Sequence, residues 1–230
     1  PHINSCTNTD IVSDLKEKPT PEQYKIFGTT CFESFLDMKR CEIQHQLFRC
    51  FMVLQLEGSH DDSLSIYVNG TTLSFSIGEF ALITGLNCVG DPEDFQFNTK
   101  VPNMIVNTYF GSVKNVKKKD LLKCFDDKNW VHDNNGDAIK IAVLYFIHTF
   151  IFFTEKNVFT IPRKYFDLVE SGRNSDYPWD KDALQYLVKS ISKKMDSQKK
   201  YYRIAGIPLD MQVWFYECCS KVGPKIARQV

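Results

Sequence analysis

The stretch DAIKIAVLYFIHTFIFF, residues 137–153, decides how the rest of the chain is read. Apart from Asp137 its only formal charge is Lys140. Its apolar positions wrap nearly the whole circumference of a helix, and helices of that kind are buried. Asn134, Asn135, Gly136 and Asp137 make a turn before it, with Asp137 as the expected N-cap. The run 138–153 is shorter than the roughly 20 residues a membrane span needs, and it carries Lys140 and His148. The stretch therefore predicts the central helix of a soluble domain, with other helices packed on several sides. Ile141, Leu144, Tyr145, Ile147, His148 and Ile151 are expected to be largely buried, with Lys140 nearest the surface.

Going outward, the elements needed to cover this helix are legible on both sides. Thr20-Pro21-Glu22-Gln23 opens a helix with Thr20 as N-cap and Gln23 closing a capping box. Tyr24, Phe27, Cys31, Phe35 and Met38 follow at helical spacing, with Gly28-Thr29-Thr30 as a break. A second helix is predicted over about 42–54. Leu64, Ile66 and Val68 alternate with Ser65 and Tyr67, and Asn69-Gly70 is the preferred pair of a type I′ turn. Residues 64–68 and 71–75 are thus predicted to form a hairpin with Val68 facing Thr71, Ile66 facing Leu73 and Leu64 facing Phe75. Ser76-Ile77-Gly78-Glu79 is a second capping box, opening a helix through Phe80, Ile83 and Leu86. Helices are expected around 103–110 and 118–125, after Pro162, from Asp176-Tyr177-Pro178 through Met195, and from Pro208 to about Ser220. Gly223-Pro224 stops the last of them.

The predicted fold class is mainly α (α+β), a single helical domain over 20–222 with one antiparallel β-hairpin. Residues 1–19, polar and unpatterned, are expected to be a flexible lead-in, and 223–230 a tail. Lys plus Arg and Asp plus Glu balance at 28 each, so no global field steers the chain toward nucleic acid or membrane. Eight cysteines are scattered without a CxxC pair. Cys31, Cys50 and Cys218 sit within apolar helical patterns, which suits reduced core thiols of an intracellular protein, nuclear or cytoplasmic. The chain begins without Met and stops in a basic stretch, and is expected to be a piece of something longer.

Several blocks together resemble one plant family: TCFESFLDM (30–38), LSFSIGEFALITGLNC (73–88), NTYFGSVKNV (107–116), IAVLYFIHTFIF (141–152), YPWDKDAL (177–184) and GIPLDMQVWFYECC (206–219). The family is a plant domain of unknown function found upstream of Ulp-type SUMO-peptidase domains in transposon-associated proteins, distantly similar to the plant mobile domain. The resemblance implies a plant origin, a mainly helical domain and a peptidase neighbour. It carries over no catalytic residue, cofactor or metal ligand.

Four constellations were weighed against plainer roles. His148, Asp167, Gln212 and Cys218 stand in the order of an Ulp-type peptidase set, with the family's six-residue step from Gln212 to Cys218. But His148 belongs to a helix that should be buried, and Cys218 lies near a helix C-terminus, where the macrodipole disfavours thiolate. Cys41 and His45 at i and i+4 make half of a zinc site without a partner pair. Basic residues cluster at Lys114, Lys117, Lys118, Lys119 and Lys123, and again at Lys189, Lys193, Lys194, Lys199, Lys200 and Arg203 beside Tyr201 and Tyr202. Such clusters suit nucleic acid when aromatics interleave them. Trp130, Tyr177, Trp179 and Tyr201 flank turns and would serve as interface anchors if exposed. The resulting expectation is a non-enzymatic protein-interaction module with no cofactor, no metal and no membrane attachment. A nucleic-acid-binding module from a mobile element is the alternative, and a cysteine peptidase the third reading. Partner identity and oligomeric state are not legible.

Overall fold

The computed structural model describes residues 2–5, 8–56, 62–130, 135–153, 159–192 and 200–219. In chain order its elements are β1 (His2–Ser5), α1 (Ile11–Glu17), α2 (Pro21–Phe27), α3 (His45–Leu54), β2 (Leu64–Val68), β3 (Thr71–Phe75), α4 (Ile77–Thr84), α5 (Met104–Tyr109), α6 (Lys118–Asp126), α7 (Asn135–Phe146), α8 (Arg163–Glu170), α9 (Trp179–Ile191), β4 (Tyr201–Ile204) and α10 (Pro208–Cys218). The fold is mainly α with a small antiparallel sheet, as the periodicities predict.

Positions 141–150 are all buried, as the apolar circumference requires. Helices α2, α6 and α8 pack against α7. Tyr145 stacks on Phe125 of α6 with ring centroids 3.8 Å apart, and its hydroxyl donates to Asp14 of α1 at 3.0 Å. The helix starts two residues earlier than expected, so Asp137 stands in the first turn rather than at the N-cap. There its carboxylate accepts from the Tyr109 hydroxyl at 2.7 Å and lies 3.7 Å from Lys140 Nζ. A negative charge in that turn suits the positive end of the helix.

The hairpin matches its predicted register pair for pair, from Val68↔Thr71 to Leu64↔Phe75. Asn69 and Gly70 both have positive φ, 49° and 82°, as a type I′ turn demands. Thr20 and Gln23 exchange the two bonds of a capping box at 3.0 and 3.2 Å. Ser76 and Glu79 form the second box, the Glu79 carboxylate accepting the Ser76 backbone N–H at 2.9 Å. That bonding holds the Glu79 carboxyl below its ordinary range. Gly85 ends α4 in the left-handed conformation with φ 69°. The chain does break at Gly28–Thr30, where the hydroxyls of Thr29 and Thr30 donate back to the carbonyls of Ile26 and Phe27, both at 2.7 Å.

Three expectations are corrected. The lead-in is built into the domain: β1 pairs in parallel with β4, and Ile11 and Leu15 of α1 are fully buried. A short polar run hid a strand whose partner lies some 200 residues away, which no local pattern reports. Helix α3 begins at His45 instead of 42, so Cys41 lies outside it. Gln212 of α10 accepts from Gln44 N–H at 2.8 Å and donates to the Glu42 carbonyl at 3.1 Å, holding that segment extended. Finally, Cys50 and Cys218 are exposed rather than core thiols, while Cys124 is buried. Met195, Ser220 and the expected tail 223–230 lie outside the described residues.

Phe146→Ala should open a cavity costing about 3–5 kcal/mol, read as a lowered denaturant midpoint. Ser76→Ala should cost about 1 kcal/mol by the same measurement.

Candidate functional site

The central helix does not end as an α-helix. Ile147–Ile151 is a π-turn, with Phe152 N–H donating to the Ile147 carbonyl five residues back at 2.8 Å. Such turns widen a helix by one residue and recur at functional sites. Thr149 contributes, its hydroxyl donating to the Tyr145 carbonyl at 2.7 Å. A threonine bonded back to its own helix in this way often bends it.

His148 sits in this turn. It is 1% exposed, and its Nε2 has no hydrogen-bond partner among the described residues. Burial, with the Lys118 charge in second place, pushes its pKa down to about 3, so the imidazole is neutral at physiological pH. The Tyr165 ring meets it edge-on at 5.3 Å and Phe152 lies 6.3 Å away. A buried polar atom left unmatched costs about 1–3 kcal/mol, so the arrangement needs a reason.

His148 lines a cavity of about 340 Å³ together with Phe152, Phe159, Tyr165, Asp182 and Tyr186. Lys164 and Lys189 stand among the same walls. Asp182 is the electrostatic hub. It accepts from the Tyr177 hydroxyl and from the Tyr165 hydroxyl at 3.3 Å, and lies 3.3 Å from Lys164 Nζ. Lys164 also donates to the Tyr177 hydroxyl at 2.9 Å. Burial first, and then the bonds to Asp182, raise both tyrosine hydroxyls well above the usual phenol range. The walls are aromatic because α8 and α9 each present rings to the π-turn: Phe152 packs on Trp179 at 6.2 Å and on Tyr186 at 5.7 Å.

The residues singled out in the sequence fall elsewhere. Tyr177 and Trp179 are fully enclosed and Trp130 is 8% exposed, so three of the four expected anchors close the core instead of facing a partner. Trp179 is held by an indole N–H bond to the Asn174 carbonyl at 2.7 Å. Tyr201 is exposed. Of the basic residues, Lys117, Lys119, Lys200 and Arg203 are exposed. Lys118 is not: it is 2% exposed, with its ammonium 4.4 Å from the Phe153 ring centroid. Burial lowers its pKa to about 8. Lys193, Lys194 and Lys199 lie outside the described residues.

The peptidase order does not assemble a site. Asp167 is engaged by Arg163 at 2.8 Å and by Asn103 at 2.9 Å, and Gln212 holds the segment before α3. Cys218 is exposed at the last position of α10, and its thiol is raised, first by desolvation and then by neighbouring acids. A nucleophile needs the opposite shift. His45 Nε2 accepts the Ser5 backbone N–H at 3.1 Å, and Cys41 receives the Gln212 amide. Among the described residues no group of three or more His, Cys, Asp or Glu side chains is placed to hold a metal ion, and no helix is long and apolar enough to cross a membrane.

The family model for a domain of unknown function, DUF1985, matches residues 52–190, more than half of the chain. The chain belongs to the DUF1985 family. No curated protein and no solved structure matches it. The DUF1985 span contains the hairpin, the π-turn and every residue of the cavity wall, while β1, β4 and α10 lie outside it.

One further buried cluster spans that boundary. Asp180 of α9 and Asp210 of α10 are 0% and 5% exposed. Thr84 donates to Asp180 at 3.0 Å, and one oxygen of each carboxylate has no partner among the described residues. Desolvation raises Asp180 to about 6. It raises Asp210 well above the carboxylate range, with the Asp180 charge adding to the effect.

These shifts give opposite pH slopes. Between about 3 and 6.5 the unfolded state binds the His148 proton and the folded state does not, so this contribution is lost as pH falls through that window. Between 3.8 and about 6 the folded state holds the Asp180 proton and the unfolded state does not, so stability falls as pH rises there and is level above it. Relative to wild type, His148→Phe should therefore gain more stability at pH 4.5 than at pH 7. Asp180→Asn should gain more at pH 7 than at pH 4.5. Each difference should be on the order of 1 kcal/mol per pH unit within its window, read from urea midpoints.

Proposed function

We propose that this DUF1985 domain is a non-enzymatic protein-interaction module of a plant intracellular protein, nuclear or cytoplasmic. On the family resemblance it is a neighbour of Ulp-type SUMO-peptidase domains in transposon-associated proteins. The observation that carries the proposal is an exposed apolar face where α3 runs into the hairpin. Gln55 bridges to Ile66 in antiparallel sense, and Leu56 N–H donates to the Ser65 carbonyl at 2.9 Å. Leu56 and Tyr67 thereby share the outward side of the pairing, opposite to buried Ile66, with Val53 and Leu54 beside them at the end of α3. Val53 is 64% and Tyr67 52% exposed. A grouped aliphatic and aromatic face of this kind marks interaction surfaces, whereas single exposed apolar residues do not. The non-enzymatic part rests on the scattered peptidase set and on the raised Cys218 thiol.

The double variant Leu54→Ser with Tyr67→Ser should abolish capture of partner proteins from nuclease-treated plant extract. Its stability should stay within about 0.5 kcal/mol of wild type, as for other surface substitutions. Capture unchanged in the variant would count against this face.

A second reading has its own support. On the β1–β4 pair, His2 stacks on exposed Tyr201 at 5.8 Å, and Arg203 stands on the same outward side two residues on, with Lys200 just before. An exposed ring between cations is a stacking platform for single-stranded nucleic acid. On that reading, Tyr201→Ala should weaken binding of a fluorescent oligonucleotide, and Lys200→Ala should reduce its salt dependence. Capture that disappears on nuclease treatment, with oligonucleotide binding lost in Tyr201→Ala, would replace the protein-interaction reading by this one.

A further inference from the structure

The cavity beneath the π-turn is separate from the α3–hairpin face and serves neither reading above. At about 340 Å³ it falls within the range of small-molecule sites, about 300–1,000 Å³. Its walls are chiefly rings: Phe152, Phe159, Tyr165 and Tyr186. Rings pack best against other rings, edge-on or offset, so the walls favour a flat aromatic occupant over an aliphatic one. Charge does not dominate the selection, because Lys164 is already matched by Asp182 at 3.3 Å. One polar group on the wall stands apart from these pairings, the imidazole of His148, whose Nε2 has no partner among the described residues.

The chemistry of that nitrogen narrows the occupant. A neutral imidazole nitrogen is a donor in one tautomer and an acceptor in the other. A carbonyl or an ammonium meets only one of the two. A hydroxyl meets both, because it donates and accepts. We propose that this cavity binds a small planar aromatic molecule carrying a ring hydroxyl, with the rings of Phe152, Tyr165 and Tyr186 against its faces and edges and the hydroxyl paired with His148. The π-turn supports this placement. It holds His148 in the wall while turning Phe152 toward Tyr186 and Trp179, so a single local widening sets both the polar contact and one aromatic wall.

The hydroxyl dependence makes the test specific. Binding of 7-hydroxycoumarin and of coumarin, which lacks the hydroxyl, is measured by titration calorimetry on the full chain at pH 6. There His148 stays neutral, because its pKa lies near 3. The expected result is that 7-hydroxycoumarin binds at least tenfold more tightly than coumarin. His148→Phe should remove that tenfold preference. Gln185→Trp, which fills the rim from an exposed position on the cavity wall, should abolish binding of both with an unchanged melting temperature. That variant keeps the test decisive even if His148→Phe does not fold. In the wild type, the histidine ring ¹⁵N resonance of Nε2 should shift on adding 7-hydroxycoumarin and not on adding coumarin. Equal affinity for the two coumarins, no binding of either at 1 mM, or undiminished binding in Gln185→Trp would each overturn the proposal.

Discussion

Four aromatic rings close on one. Phe27, Phe32, Phe35 and Phe150 all place their centroids 4.9–5.9 Å from that of Phe146. Phe27 belongs to α2, and Phe32 and Phe35 to the turn and short helix after it, so α7 can be enclosed only if the chain breaks at Gly28–Thr30 and folds back. The threonine hydroxyls make that break by capping α2 with their own side chains. On the opposite flank Tyr145 stacks on Phe125, and its hydroxyl reaches Asp14, which Asn8 also holds at 2.7 Å. The polar run before α1 is thereby tied to the same helix that the phenylalanines enclose. Each aromatic pair adds about 0.5–1.5 kcal/mol beyond area burial. Their main effect is geometric, because they leave α7 no exposed side along 141–150.

A helix enclosed on all sides cannot simply run on into solvent. The π-turn resolves this by inserting one residue, which redirects the chain toward α8 and α9. Phe152 then meets Tyr165 at 5.3 Å and Trp179 at 6.2 Å, and Tyr165 stacks on Trp179 at 5.8 Å. This second aromatic group explains why Tyr177 and Trp179, which flank a turn in the sequence, are core residues. The helix start at Trp179 is itself inside the core, so proximity to a turn does not signal exposure there.

Where the determinants were local, the sequence sufficed. The hairpin register, both capping boxes, the break after Phe27 and the burial of the central helix follow from neighbours within a few residues. What escaped depended on contacts remote in sequence. β1 is stabilised by β4, and Ile11 and Leu15 are buried against elements that follow them. Lys118 looked like one lysine of a basic run, yet its position after the bridge Lys117↔Thr160 turns it inward, where it lies over Phe153. The cavity was the least legible feature. Its residues are spread from 148 to 189 with ordinary core composition, and the π-turn that assembles it leaves no mark in the apolar pattern. The presence of His148 in an otherwise apolar run was the one available signal, and the peptidase-like order drew attention to it for a different reason.

Most buried polar side chains here have structural partners. Gln23 caps α2, Asn103 caps α5 and donates to Asp167, Gln212 holds the segment before α3, and Thr84 ties α4 to α9. Asp180, Asp210 and His148 remain, and they differ in how they can respond to burial. A carboxylate escapes part of the cost by taking up a proton, which removes the charge. Asp210 does so, with its pKa raised well above the carboxylate range, and Asp180 is helped by the Thr84 hydroxyl. A buried histidine sheds its proton and is still left with two polar ring nitrogens. Burial has already made His148 neutral, and no further change of protonation can satisfy Nε2. The acid pair is therefore accounted for within α4, α9 and α10 by protonation and one hydroxyl. At the π-turn the unmet bond can be supplied only from outside the side chains that enclose it.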